Sequence, residues 1–384
     1  MPLKVSERGQ MEPFMVMDVL YTANQRASLG NAVYHLEIGQ PGTGAPREVI
    51  EAIQEPLSLQ KLGYTDAFGI TPLRDAIVEH YKSSYGLSIG RNRVAVTSGS
   101  SAGFVLAFLA AFDVGDRVAV ASPGYPCYRH ILKAFGIEPV VLETAFEDRF
   151  QPTPEKLKAF LPLDGLIVAS PSNPTGTMLD ASALKALSNF CREHKVRLIS
   201  DEIYHGITYE QSAVSALEFN QDAIIINSFS KYFSMTGWRV GWMLVPEELL
   251  RPIECLQQNL FICAPTPSQI AALAAFDCKK TFDRHVMRYR QNRDLLLSRL
   301  PPIGLDKLAP ADGAFYLYAD VSSLTNDSEG FCRKILTETG VAFAPGRDFD
   351  SARGKQFIRI SYSESLDIIN QALNVLAEWM PENR

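Results

Sequence analysis

The patterns that advertise metal, redox, nucleic-acid or membrane chemistry are missing from this 384-residue sequence. Its six cysteines, Cys127, Cys191, Cys255, Cys263, Cys278 and Cys332, include no C-x-x-C pair, and its six histidines form neither HExxH nor HxxxH. No metal site is therefore expected, and the thiols read as reduced and mostly buried. Positive charge is not in excess: 37 Lys and Arg stand against 43 Asp and Glu, leaving a net charge of −6 and no electrostatic footprint for nucleic acid or an anionic membrane. Small diffusible partners are expected instead. The N-terminal MPLKVSERGQ lacks the apolar core of a signal peptide, and the longest apolar run, Ala102 to Phe112, is too short to span a bilayer. These absences predict a cytoplasmic protein. Neither GxGxxG nor GxxxxGK[ST] occurs, so dinucleotide and P-loop binding lack their fingerprints.

What is present is a globular composition, 46% hydrophobic and 21% charged, on a chain long enough for two domains. Five short apolar runs end in serine and pass into polar loops: VAVTS before GSSAG, VAVAS before PGYPCY, LIVAS before PSNPTG, RLIS before DEIY and IIINS before FSK. Helical patterns such as AGFVLAFLAAF and ASALKALSNFCREH separate them. Continuous apolar strands of this kind are covered on both faces, which predicts an α/β fold with a mainly parallel, doubly wound sheet. Ligands of such sheets bind beyond the carboxyl ends of the strands, where all five polar loops fall.

Long helical patterns run from Glu247 to Cys278 and from Lys280 to Leu300, before the turn-rich PPIGLDKLAPADG. GAFYLYADV and KQFIRISYS then read as strands around the helical GFCRKILTET. The expected division is an N-terminal segment, 1–45, packed on the small domain or a partner subunit; a large domain, 46–289; and a small α+β domain, 290–384.

Lys231 follows a strand-like run, AIII, in NSFSKYFSMTGWRVGW, a position that aims its amine at the predicted site rather than at bulk water. Other candidates have ordinary uses when read singly. GSSAG suits an anion at a helix start but equally an N-cap. Asp201 and Tyr204 share a face at a spacing of three, though an acid after a strand often caps a helix. Asn173 sits in the stiff turn PSNPTG, and Tyr125 of PGYPCY has the option of simple packing. Ser228 to Lys231 also satisfies S-x-x-K, the motif of serine-acylating enzymes, without the SDN or KTG that accompany it. Taken together, the set matches the needs of pyridoxal 5'-phosphate: an amine for its aldehyde, an acid for its ring nitrogen, donors for its phenolic oxygen, an aromatic against its ring and an anion cradle.

Through SFSKYFSMTGWRVGW, SPSNPTG, SDEIYHGITY and the distal FIRISYS, in this order, the sequence resembles the class I/II aminotransferases of the fold-type I pyridoxal-phosphate enzymes over nearly its whole length. The resemblance implies that Lys231 binds the cofactor aldehyde, Asp201 pairs with the ring nitrogen, Asn173 and Tyr204 hold the phenolic oxygen and Tyr125 stacks on the ring. It assigns the phosphate to Ser100, Ser101, Ser228, Ser230 and Arg239, and the substrate carboxylate to Arg359, with Asn173 and a backbone contact from Gly39. Tyr64 resembles the family tyrosine that reaches the phosphate of the neighbouring subunit, which implies a homodimer with shared active sites. The implied reaction moves the α-amino group of an L-amino acid to a 2-oxo acid by a ping-pong route. A carbon-sulfur lyase or decarboxylase on the same fold, and a non-enzymatic pyridoxal-phosphate-binding regulator, stand as alternatives.

Overall fold

The computed structural model describes residues 3–59 and 62–382; the outermost residues of the expected N-terminal segment and small domain lie outside this range. Its strands are β1 (Tyr34–His35), β2 (Val94–Thr97), β3 (Arg117–Ser122), β4 (Glu138–Glu143), β5 (Gly165–Ala169), β6 (Arg197–Asp201), β7 (Ile224–Ser228), β8 (Gly241–Leu244), β9 (Lys307–Leu308), β10 (Tyr316–Asp320), β11 (Val341–Ala342), β12 (Ala344–Pro345) and β13 (Phe357–Ser361). The serine-terminated runs of the sequence form β2, β3, β5, β6 and β7.

A seven-stranded sheet in the order β2-β8-β7-β6-β5-β3-β4 carries the large core. All its neighbours pair in parallel except β8, which is antiparallel to both β7 and β2. The runs are continuously apolar because both faces are covered. Val94, Val96, Leu166, Val168, Leu198 and Ile225 enter one core with Tyr81, Leu187 and Trp242. Ala95, Val118, Val120, Ile167, Ile199 and Ile226 enter the other with Phe104, Phe108 and Leu132. Sheet order reverses between β3 and β5, since β4 lies outside β3 while β6 and β7 lie beyond β5. That reversal opens a crevice at the strand ends.

The smaller core is built on the antiparallel sheet β12-β13-β10-β9. The helices Ser328–Thr339 and Leu366–Trp379 contribute Cys332, Ile335, Ile369 and Leu373 to it. The helix Lys279–Arg299 joins the two cores, with Phe282 in the large one and Tyr289 and Leu296 in the small one. One expectation is corrected: the pattern from Glu247 to Cys278 is two α-helices, Leu250–Leu260 and Thr266–Ala275. The chain breaks between them where Ile262 takes a φ of 65° and Pro265 precedes the second helix. The N-terminal helix Met15–Ser28 packs on β11 and β12: Val16 shares a buried cluster with Tyr318, Ala344 and Phe349, and Ala23 one with Leu336 and Ala342. Among the described residues no helix is long and apolar enough to cross a membrane.

The loop carrying Asn173 is strapped to the loop before β10, because the Gly176 carbonyl accepts from Asp312 N at 3.0 Å and Gly313 N at 2.9 Å. Gly176 has a φ of 70°, and a Cβ there would stand 2.8 Å from the Tyr316 carbonyl and 3.1 Å from that of Gly313. Gly176→Ala therefore combines a left-handed conformation with a backbone clash. A loss of about 1 to 3 kcal/mol is expected. A lowered midpoint in urea unfolding of the cofactor-free protein checks it; an unchanged midpoint would mean that the strap yields without cost.

Candidate active site

The crevice is a cavity of about 310 Å³, and the ends of β3, β5, β6 and β7 deliver Tyr125, Asn173, Asp201 and Lys231 to its wall. Ser100 and Ser101 enter from the first turn of the helix Ser100–Ala111, Gly39 from the segment after β1, and Arg359 from β13. Tyr204, Ser230 and Arg239 complete the nominated set found on this wall. Two nominated residues are elsewhere. The Ser228 hydroxyl is behind Ser230, donating to Ser230 Oγ at 2.9 Å and facing the Val240 carbonyl at 3.1 Å. It is buried away from the cavity, which also leaves the serine-acylating reading without an accessible nucleophile. Tyr64 is 83% exposed, on a loop held by Thr65 N to Cys263 Sγ and by Thr266 Oγ1 to Gly63 O.

One end of the cavity is built for an anion. Gly99 takes a φ of 80° and caps the helix Ser100–Ala111 without a side-chain acceptor, so the leading N–H groups are available to a ligand. A Cβ on Gly99 would come within 2.5 Å of Arg239 Nη2, so the missing side chain is what lets the guanidinium lie over this helix start. Arg239 is held there by its Nη1 bond to Thr236 O at 3.1 Å.

At the centre, Asp201 accepts from the Ile203 N–H at 3.1 Å and from the Tyr128 hydroxyl. Burial pushes its carboxyl up to about 6, opposed by these two donors and by Lys231. A cationic ring nitrogen beside it would favour the carboxylate further. The Lys231 amine donates to the Gly39 carbonyl. Burial first, then Arg359 and Arg239, bring it down to about 8, with Asp201 opposing. Tyr204 and Tyr316 share a hydroxyl hydrogen bond of 2.7 Å. Gly39 is required here, because a Cβ would overlap the Tyr316 hydroxyl.

At the far end, Arg359 is 1% exposed, with its guanidinium 4.5 Å from the Tyr316 ring centroid and 4.7 Å from that of Phe349. Nη1 donates to Asn173 Oδ1 at 2.9 Å and Nη2 to the Glu37 carbonyl, while Nε has no partner among the described residues. A buried guanidinium with a spare donor fits a planar carboxylate. The amine, the buried acid, the helix-start cradle and this arginine thus fit pyridoxal phosphate with an amino acid beside it.

Several wall residues were not nominated from sequence. Tyr128, which holds Asp201, stands one helical turn after Tyr125 and could have been found by that spacing. Tyr316 lies in an aromatic strand that reads as core. Phe14, Val16, Met17, Ile38, Phe104 and Ile131 form the apolar part of the wall, and nothing in their local sequence distinguishes them from packing residues.

The family model for aminotransferase class I and II matches residues 31–376. The valine–pyruvate aminotransferase of Mycobacterium tuberculosis is 49% identical over 383 residues, spanning 98% of this chain and 99% of the relative. A crystal structure of an aminotransferase from the same organism superposes with a TM-score of 0.97 at 48% identity, covering 99% of this chain and 100% of the other. The aspartate aminotransferase of Thermus thermophilus with maleate gives 0.92 at 32% identity, covering 98% and 100%. The chain belongs to the class I and II aminotransferases. It is a pyridoxal-phosphate-dependent transaminase.

The lowered Lys231 amine has a direct test in the cofactor-free enzyme. Because its pKa falls to about 8, the neutral, reactive form accumulates at lower pH than on surface lysines. Reductive methylation across pH, read by mass spectrometry, should label Lys231 with a midpoint near 8. Asp201→Asn should move that midpoint lower, since the carboxylate is the group that opposes the shift. A midpoint in the ordinary lysine range would refute the account of the pocket.

Proposed function

We propose that this transaminase takes its amino group from L-amino acids with neutral, apolar side chains, of which valine is the type, and passes it to a small 2-oxo acid such as pyruvate. The observation that carries this reading is the composition of one cavity. Its cations are Lys231, Arg239 and Arg359, and its wall includes the apolar Phe14, Val16, Met17, Ile38 and Ile131, with Gln40 and Thr236 as uncharged polar members. An acidic side chain would need a further cation there, and burying it unpaired is costly. The name of the Mycobacterium tuberculosis relative points the same way.

When bound, pyridoxal phosphate supplies the aldehyde that takes up the amine and the ring that absorbs the electron pair left at Cα. The proposed work of the chain's own residues is to hold and to move protons. Lys231 binds the cofactor and, once freed, carries the proton from the substrate Cα, a task suited to an amine whose pKa burial has lowered. Asp201, held by Tyr128, keeps the ring nitrogen protonated. Tyr125 packs against the ring; Tyr204 and Asn173 hold the phenolic oxygen. Ser100, Ser101, Ser230 and Arg239 hold the phosphate, with Ser228 orienting Ser230 through their 2.9 Å bond. Arg359 clamps the α-carboxylate.

The reading includes a homodimer with shared sites in the cytoplasm. It is supported by Tyr64, which stands in solvent in the single chain, and by exposed Leu57, Leu59, Leu260 and Ile262 on the elements around it. The division into a large domain, 46–289, a small one, 290–384, and the N-terminal segment 1–45 belongs to the same reading, supported by the two separate cores.

A half-reaction screen tests the donor class. Valine should bleach the yellow holoenzyme and aspartate should not. Borohydride reduction followed by peptide mapping should place the pyridoxyl label on Lys231, and a label on any other lysine would overturn the assignment. Arg359→Ala should weaken every amino acid alike, by about 2 to 5 kcal/mol for a desolvated charge pair. A variant that lost only some side-chain classes would show that Arg359 reads the side chain instead.

A further inference from the structure

We infer that Asp348 is a positioning residue for donor selection: by capping the first turn of the N-terminal helix it fixes the apolar wall against which the substrate side chain rests. The inference rests on the apolar-donor reading proposed above. The helix Met15–Ser28 has Phe14 at its N-cap, which offers no side-chain acceptor. A helix start leaves its leading N–H groups without partners, and a short polar side chain usually supplies one from within the same turn. Here the acceptor comes from the other end of the chain. Met15 N donates to Asp348 Oδ1 at 3.2 Å and Val16 N to Asp348 Oδ2 at 3.1 Å. Both carboxylate oxygens are thus committed to this one turn, and Asp348 itself is buried.

The turn so fixed is the one that carries Phe14, Val16 and Met17 onto the cavity wall. Phe14 also meets the Tyr125 ring edge-on at 6.1 Å. The neighbours of Asp348 tie the same point to the rest of the site. The Phe349 ring shares a buried cluster with Val16 and has its centroid 4.7 Å from the Arg359 guanidinium. The Asp348 carbonyl accepts from Arg129 Nη2 at 2.8 Å, and the Phe349 carbonyl accepts from Gly124 N at 3.0 Å, on either side of Tyr125. Residues 348 and 349 therefore hold the side-chain wall and the carboxylate-binding arginine in one frame. The wall has no such anchor of its own, since Phe14 is the only group at its N-cap.

A residue that only stabilised the fold would, on removal, weaken all donors and cofactor capture together. A residue that positions the wall acts on donors whose side chains reach it. The test uses the full-length holoenzyme as wild type, Asp348→Ala, Asp348→Asn and Val16→Ala, with valine, alanine and aspartate as donors. Asp348→Ala should lower kcat/KM for valine by about tenfold, the scale of a lost N-cap, and do so mainly through KM. Alanine, whose side chain is a single methyl group, should change much less, and the cofactor absorbance should be retained. Asp348→Asn keeps one acceptor oxygen and should recover part of the loss; Val16→Ala should reproduce the selectivity change by trimming the wall directly. Independently of turnover, amide exchange at Met15 and Val16 should quicken in Asp348→Ala. Equal losses for valine and alanine, or unchanged exchange at these two amides, would overturn the inference. A wild type that prefers aspartate to valine would instead overturn the donor reading, while the exchange and the valine-to-alanine ratio would still decide the role of Asp348.

Discussion

Positive charge gathered around one cavity, with Arg359 buried, Lys231 half-buried and Arg239 exposed, is the constraint on which the site depends. Lys231, Arg239 and Arg359 face one cavity whose single carboxylate is Asp201, and Arg359 is fully enclosed without an ion-pair partner among the described residues. Holding a guanidinium in such surroundings is unfavourable unless hydrogen bonds and rings surround it, and Asn173, the Glu37 carbonyl, Tyr316 and Phe349 supply them. The arrangement leaves Nε without an acceptor among the described residues. Two anionic groups, a phosphate at the helix start and a carboxylate at the arginine, would complete it, and the cofactor and its amino-acid substrate bring those two groups.

The fold follows from the need to bring these charges together from distant parts of the chain. Parallel strands all point their carboxyl ends at one edge, so residues 125, 173, 201 and 231 converge although about a hundred positions separate the first from the last. The antiparallel β8 returns the chain so that Arg239, just before it, reaches back over Gly99. Arg359 comes from the small-core sheet, and the Gly176 strap together with the bonds of the Asp348 and Phe349 carbonyls to Arg129 and Gly124 link that part of the chain to the loops of the large sheet. The cavity wall is therefore assembled from both cores rather than from any single loop.

The central sheet was legible where a run of buried apolar residues closes on a polar loop: VAVTS and IIINS are examples. β4 was not, since EPVVLE lies at the sheet edge and alternates between solvent and core, beginning and ending in glutamate. The helix break at Ile262 escaped notice because its signal is a single backbone angle followed by Pro265. In the site, polar residues after strands stood out, and the motifs around Lys231 carried their own context. Tyr128 and Tyr316 did not stand out, because an aromatic that holds a catalytic group and one that fills a core look alike until the partner is known. Ser228 lies behind Ser230 rather than on the cavity wall, and sequence shows the hydroxyl but not which neighbour it faces. The Asp348 cap joins positions more than three hundred residues apart, and local patterns carry no trace of it.

Behind Asp201 the structure also controls how much negative charge the cavity floor holds. Glu202, the next residue, is buried, and its Oε1 accepts from Ser215 Oγ and Ala216 N, each at 2.9 Å. Among the described residues its Oε2 has no hydrogen-bond partner, and it lies 3.6 Å from His205 Nδ1. His205 Nε2 is 3.0 Å from the Ser170 carbonyl, which only accepts, so that nitrogen carries the proton. Nδ1 is then an acceptor, taken by the Tyr85 hydroxyl at 2.8 Å, and offers no cation to Glu202. Burial drives the two groups in opposite directions, Glu202 up to about 8 and His205 down to about 3, and both motions lead to uncharged partners at neutral pH. The adjacent acids are thereby given different states. Glu202 ties the turn after β6 to the segment at Ser215, and Asp201 is the one acid of the pair that faces the cavity.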